Sequence, residues 1–66
     1  MEIIVNGRPR RLADGATVAE LLGDLDLATR HLAVEVNLEL VPRPAHGERR
    51  LAEGDRVEIV TLVGGG

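Results

Sequence analysis

Cysteine, serine, lysine and aromatic residues are all absent from this chain of 66 residues. Without cysteine it has no disulfide, thiolate nucleophile or iron–sulfur cluster, so packing alone must stabilise the fold. Without serine it has no serine nucleophile. Without aromatic rings it has no platform on which nucleic acid bases could stack. These absences exclude several classes of enzyme and argue against a protein that binds single-stranded nucleic acid.

The net charge of −3 also argues against a nucleic acid partner, because binding to the phosphate backbone normally requires a basic domain. No apolar run approaches the roughly 20 residues of a membrane span, and the amino terminus lacks the pattern of a secretion signal. We therefore expect a cytoplasmic protein without a membrane partner. Residues 1–66 form one domain, and a domain this small buries only about 60% of its unfolded surface. It has room for one sheet and one helix, and not for a deep active-site cleft.

The first half of the chain predicts a hairpin followed by a helix. Residues 2–5 are rich in β-branched side chains and lead into Asn6-Gly7, a dipeptide typical of two-residue hairpin turns. The returning strand, at about residues 8–12, contains Pro9, which cannot donate a ladder hydrogen bond. We therefore expect this second strand at an edge of the sheet.

The helix is predicted from a capping pattern and an apolar stripe. Thr17 and Glu20 have the spacing of a capping box. A stripe of apolar side chains with helical spacing follows, and consists of Val18, Leu21, Leu22 and Leu25. The helix should end by about Leu27, with its stripe against the sheet.

The second half predicts further strands. Residues 32–37 alternate as a half-buried strand does, and Leu40-Val41 suggests a short continuation. Residues 42–50 have the composition of an irregular surface loop. Residues 56–63 form the longest β run and are nearly continuously apolar, which favours the centre of the sheet. The fold class is therefore α+β, with the order β-β-α-β-(short β)-β.

The last strand also predicts a surface for a partner. Alternation directs Val57 and Ile59 inward and the side chains of Glu58, Val60 and Leu62 outward. Because one helix covers one face, the open face also carries Ile4. Clustered exposed apolar groups mark partner sites more often than scattered ones do, so we predict docking at Ile4, Glu58, Val60 and Leu62. The alternative is that these are ordinary surface side chains.

The histidines and arginine clusters carry less information. His31 and His46 lack cysteine companions and metal-ligand spacing, so we expect no metal site and place both histidines in solvent-exposed loops. The arginines at 8–11 and 49–50 have carboxylates to balance them, which favours a role in solubility over binding of an acidic partner.

The sequence finishes with Gly64, Gly65 and Gly66. No helix follows these glycines, so they are not a phosphate-binding loop. One interpretation is an incidental flexible tail. The other is a narrow arm that carries a terminal carboxylate into another enzyme's active site, since glycine lets a chain pass between close walls. A carboxylate is a poor electrophile and would need activation, for which ATP is suited.

Several stretches together resemble the ThiS family of ubiquitin-like sulfur carriers. The matching segments are Ile3-Ile4-Val5-Asn6-Gly7, Thr17-Val18-Ala19-Glu20-Leu21-Leu22, Val34-Glu35-Val36-Asn37, Val41-Pro42-Arg43, Glu53-Gly54-Asp55-Arg56-Val57-Glu58-Ile59-Val60 and the final glycines. The chain departs from the family pattern at Asn37-Leu38, where members often have Asn-Gly. The loop at residues 44–50 also matches poorly, and no function is carried onto it.

The resemblance implies a β-grasp fold, with a mixed sheet of four or five strands and one main helix. It also implies that a ThiF-type adenylyltransferase uses ATP to adenylate Gly66, and that a sulfur-donor enzyme supplies the sulfur of a thiocarboxylate. A ThiG-type thiazole synthase would then accept that sulfur. The protein would be a cosubstrate and not an enzyme, with no cofactor of its own. The alternatives are a carrier for another pathway, similar to the small subunit of molybdopterin synthase, and a non-covalent β-grasp binding module.

Overall fold

The computed structural model describes residues 1 to 62, which contain a five-stranded sheet and one α-helix. The elements are β1 (Glu2–Val5), β2 (Arg8–Arg11), α1 (Val18–Asp24), β3 (Leu32–Val36), β4 (Glu39–Leu40), a 3₁₀ turn (Arg43–Ala45) and β5 (Arg56–Thr61). This order agrees with the predicted α+β class. Val63 and the glycines at 64–66 lie outside the described residues.

Strand β5 lies at the centre of the sheet, in the order β2-β1-β5-β3-β4. It runs parallel to β1 and antiparallel to β3. The central position follows from its apolar sequence, since both edges and one face of a central strand are covered. Pro9 lies in edge strand β2, opposite Ile4. Both predicted positions are confirmed.

The core lies between α1 and one face of the sheet. It combines side chains from the inward positions of three strands, from the stripe of α1, and from the segments that flank the 3₁₀ turn: Ile3, Val34, Val36, Val57, Ile59, Val18, Leu21, Leu22, Val41 and Leu51. Within residues 1 to 62, the opposite face of the sheet has no helix over it. No helix in this part of the chain is long and apolar enough to cross a membrane.

Helix α1 begins as predicted and ends before Leu27. The Glu20 N–H donates to Thr17 Oγ1 at 3.2 Å, and the Thr17 N–H donates to Glu20 Oε1 at 3.4 Å, which completes the capping box. The helix ends at Asp24, within the predicted limit of about Leu27. Asp26 takes a left-handed φ of 59°, and the Leu27 N–H donates to the Leu22 carbonyl at 2.8 Å. These are the marks of a Schellman motif, which ends the helix.

The loop at residues 42–50 is held against α1 by hydrogen bonds that its sequence does not predict. Its carbonyls satisfy free N–H groups in the first turn of α1: Val18 donates to Arg49 O and Ala19 to His46 O, both at 2.9 Å. These bonds draw the loop onto the helix and bury His46, whose Nε2 lies 3.0 Å from Val41 O. The expectation that His46 is solvent-exposed is therefore wrong, whereas His31 is exposed.

Candidate functional site

The face of the sheet opposite α1, here called the outer face, is the candidate site. Strand register places Glu35 opposite both Glu58 and Leu40, and Ala33 opposite Val60. The residues on either side of Glu35 and Glu58, which are Val34, Val36, Val57 and Ile59, belong to the core, as pleating requires. The large exposed hydrophobic side chains among residues 1 to 62 all belong to this half of the sheet or its β3–β4 turn: Leu38, Leu40, Val60 and Leu62.

Val60 and Leu62 lie together at the end of β5. Their side chains are 57% and 54% exposed, and Glu58, two residues before Val60, is also exposed. Glu58 and Val60 therefore share one face of β5, and Leu62 follows directly after the strand. Leu62 is the last described residue, so the apolar pair stands directly before Val63 and the glycines.

Ile4, the fourth predicted docking residue, lies elsewhere on the outer face. It is opposite Arg56 on β5 and Pro9 on β2, and it is half-buried. Arg56 precedes Val60 by about 13 Å of extended strand. Ile4 therefore lies on the same face as Val60 but near the start of β5, away from the pair at its end.

Asn6 holds the second half of β5 where strand β1 has already ended. Its Oδ1 accepts the Ile59 N–H at 2.7 Å, and its Nδ2 donates to Ile59 O at 3.1 Å. On the other edge of β5, the Leu62 N–H donates to His31 O at 2.9 Å. These bonds hold β5 and Leu62 on both edges. Sequence reasoning assigned Asn6 to its turn and missed this second role, because periodicity carries no signal for a bond between residues 6 and 59.

The turn between β3 and β4 forms the opposite end of the exposed half. Asn37 and Leu38 both have positive φ values, 52° and 68°, as the two central residues of a type I′ hairpin turn require. Leu38 is 89% exposed and Leu40 is 62% exposed. The departure from the usual Asn-Gly pattern was visible in the sequence, but its geometry and exposure were not.

The middle of the outer face carries two carboxylates. Glu35 and Glu58 lie directly opposite each other, an arrangement that destabilises a sheet when both are charged. The ion pairs within residues 1 to 62 are Met1 N with Asp14, Arg10 with Asp24, and Arg49 with Glu39. Neither Glu35 nor Glu58 belongs to one, although Arg56 lies two residues before Glu58 on the same face. A cation from outside would therefore relieve a repulsion already present.

The described part of the chain has no group of three or more His, Asp or Glu side chains arranged to hold a metal ion. A shallow groove lies between α1 and the 3₁₀ turn, lined by Ala19, Leu22, Ala28, Arg43, His46 and Gly47. The polar side chains in its lining are those of Arg43 and His46. The predicted site residues Gly64, Gly65 and Gly66 lie outside the described residues.

Comparison with known proteins gives the same result at three levels. The ThiS family model matches residues 3–66. The sulfur carrier protein ThiS of Escherichia coli is 32% identical over 66 residues, which cover all of both chains. A thiamine biosynthesis protein (ThiS) from Geobacter metallireducens, solved as a crystal structure, is 36% identical with a TM-score of 0.85, again over all of both chains. That likeness confirms the β-grasp fold that the sequence implied.

Two further relatives are thiazole synthases. The protein from Paramagnetospirillum magneticum is 41% identical and that from Magnetococcus marinus 39% identical, each over 66 residues. All of this chain is matched, but it spans only 20% of the length of either relative. In those two proteins, a segment similar to this whole chain is therefore part of a much longer polypeptide.

Proposed function

Because this chain belongs to the ThiS family, whose model matches nearly its whole length, we propose that it is a sulfur carrier of thiamine biosynthesis with Gly66 as its reactive residue. A carboxylate oxygen of Gly66 attacks the α-phosphorus of ATP on a ThiF-type adenylyltransferase, and pyrophosphate leaves. Sulfur at the oxidation level of sulfide, from a sulfur-donor enzyme, then attacks the carbonyl carbon and displaces AMP. The resulting thiocarboxylate delivers its sulfur to a ThiG-type thiazole synthase.

On this proposal the protein is a cosubstrate that partner enzymes modify. It contributes a docking surface and a carboxylate, and the catalytic groups belong to the partners. The same proposal puts it in the cytoplasm, because activation consumes ATP. The two thiazole synthases that include a similar segment support a synthase of this type as the sulfur acceptor.

The observation that carries the proposal is the end of β5. Val60 and Leu62 are exposed on a strand that is hydrogen-bonded at both edges, directly before the glycine segment. A partner docked on these two side chains would therefore lie beside the start of the glycine segment in the sequence. Glycine at 64, 65 and 66 suits a narrow channel, because no side chain obstructs the passage.

Burial of Val60 and Leu62 alone does not offset the entropy cost of ordering the tail. Ordering three tail residues costs roughly 3 to 6 kcal/mol of backbone entropy. Fully burying an exposed Val or Leu contributes about 1.5 to 3 kcal/mol, but these two side chains are already nearly half-buried. Together they offer about 2 to 3 kcal/mol, which is less than the cost. Docking therefore requires contacts elsewhere on the protein.

The proposal predicts a specific change in mass. The protein is incubated with ATP, a ThiF-type adenylyltransferase and a sulfur donor, and its intact mass is measured before and after. We expect a gain equal to the replacement of one oxygen by one sulfur, located by fragmentation at Gly66. The starting mass also tests whether Gly66 ends the mature chain, as the chemistry requires.

Deletion of Gly66 serves as the control, because it leaves the described fold intact and removes the reactive residue. This variant should gain no sulfur. If the intact protein also gains none, under conditions that modify the Escherichia coli carrier, the non-covalent binding module becomes the better explanation. If sulfur is gained but passes only to a molybdopterin synthase, the carrier serves the other pathway.

A further inference from the structure

We propose that the Asn37–Leu38 turn is a second docking anchor, which inserts Leu38 into an apolar pocket of the thiazole synthase. This inference rests on the proposed function and identifies where the missing contacts lie. It starts from Leu38, whose backbone conformation and exposed apolar side chain are both energetically unfavourable in the isolated protein.

The backbone of Leu38 is in the left-handed region, with a φ of 68°. There the Cβ of an ordinary residue crowds the following carbonyl oxygen, which is destabilising. Asn tolerates this region and Gly has no penalty in it. Asn37 therefore suits its position, whereas Leu38 occupies one that favours glycine.

Packing of the Leu38 side chain does not offset this strain within the described fold. It is 89% exposed, the highest exposure among the large hydrophobic side chains of residues 1 to 62. Leu40, two residues further on, is 62% exposed. The apolar character of both residues thus becomes favourable only when another surface covers them.

The turn presents Leu38 from a rigid base. The side chain of Asn37 donates through Nδ2 to Asp55 Oδ1 at 3.0 Å and accepts the Arg56 N–H at Oδ1 at 2.9 Å. The Asn37 N–H also donates to Arg56 O at 2.8 Å. Three hydrogen bonds to the start of β5 hold the turn before any partner arrives, so docking loses little further entropy there.

Leu38 and Leu62 stand at opposite ends of one continuous surface. Between them lie Leu40, Glu35 and Glu58 in one row across the strands, and then Val60. The strand from Arg56 to Leu62 is about 20 Å long, a length that suits a standard interface of about 800 Å² per partner. One partner can therefore contact the turn and receive the tail at the same time.

The charges specify what that partner presents. Glu35 and Glu58 repel each other across the strands, so the complementary surface has an arginine or lysine beside its apolar pocket. We assign this surface to the thiazole synthase because two thiazole synthases include a similar segment in the same polypeptide.

The test measures stability and binding in the same variants. Leu38→Gly removes both the strain and the side chain, while glycine adds entropy to the unfolded chain that offsets part of the gain. Its melting temperature should therefore rise by about 2 to 8 °C. Its dissociation constant for the synthase should increase about tenfold to a hundredfold. Leu38→Met, which keeps an apolar side chain, should retain most of the affinity.

Asp26→Gly is the matched control, since it relieves another left-handed residue at the end of α1. It should raise the melting temperature and leave synthase binding unchanged.

A Leu38→Gly dissociation constant within twofold of wild type would overturn the anchor, as would weaker binding accompanied by a lower melting temperature. Loss of binding to the adenylyltransferase alone, or loss of a self-associated dimer in sedimentation, would overturn the assignment to the synthase. Sulfur loading at Gly66, measured separately in wild type, shows whether the proposed function itself has failed.

Discussion

Asn6 connects the first turn of the chain to its last strand, which makes it the most informative single position for stability. Asn6→Gly keeps a backbone suited to positive φ and removes both hydrogen bonds to Ile59. We expect a loss of about 1 to 3 kcal/mol in the free energy of unfolding, measured by urea denaturation. The Ile59 amide should also exchange its hydrogen faster than in wild type.

Asn6→Asp separates the two bonds. The carboxylate still accepts the Ile59 N–H but can no longer donate to Ile59 O. Its stability should fall by about 1 kcal/mol, and Ile59 should keep most of its protection from exchange. Equal behaviour of the Gly and Asp variants would mean that the donor alone matters, contrary to the geometry at Oδ1.

Helix α1 depends on a cap whose two parts act together. Thr17→Ala removes the bond to the Glu20 N–H and should cost about 1 kcal/mol. Glu20→Ala removes the returning bond to the Thr17 N–H, which is longer at 3.4 Å, and should cost less. Because the two bonds belong to one box, the double variant should lose less than the sum. Strict additivity in urea denaturation would show that the bonds are independent.

The two ends of α1 differ in how well the sequence predicts them. The start is predictable because the side chains of Thr17 and Glu20 hydrogen-bond to backbone N–H groups in the same turn. The end depends on a left-handed conformation at Asp26, a position where helices usually have glycine. The nearest glycine is Gly23, which lies inside the helix and therefore does not mark its end. The loop that buries His46 was missed for a different reason. Its position depends on backbone hydrogen bonds to α1, which cannot be predicted from the pattern of side chains.

The whole molecule is acidic, with a net charge of −3, and its outer face has Glu35 and Glu58 at the centre. Association with the cationic synthase surface proposed above should therefore slow as salt concentration rises. Glu58→Gln should weaken that dependence more than Glu48→Gln, which changes the net charge equally but lies on the loop after the 3₁₀ turn. Stopped-flow association rates at several salt concentrations test this. Equal slopes for the two variants would assign the effect to overall charge and not to the outer face.

The order of the sheet was predictable at this scale, but the extent of the exposed surface was not. The apolar run of β5 and the proline of β2 were enough to place one strand at the centre and the other at an edge. Leu38 could not be identified, because whether a turn residue is buried or exposed depends on what packs over it. Ile4 was grouped with Val60 by alternation alone, and register was needed to separate them along the strand.

The central position of β5 also has a consequence for folding. Within residues 1 to 62, β1 and β3 do not pair with each other, and each pairs with β5. Until β5 inserts, the sheet is therefore two separate hairpins, and its closure joins residues some fifty positions apart, which makes folding slow. Glu58 and Val60 lie beside Glu35 and Ala33 only after that closure. The synthase proposed to recognise the outer face would thus distinguish folded molecules from unfolded ones, and we expect it to accept sulfur from folded molecules alone.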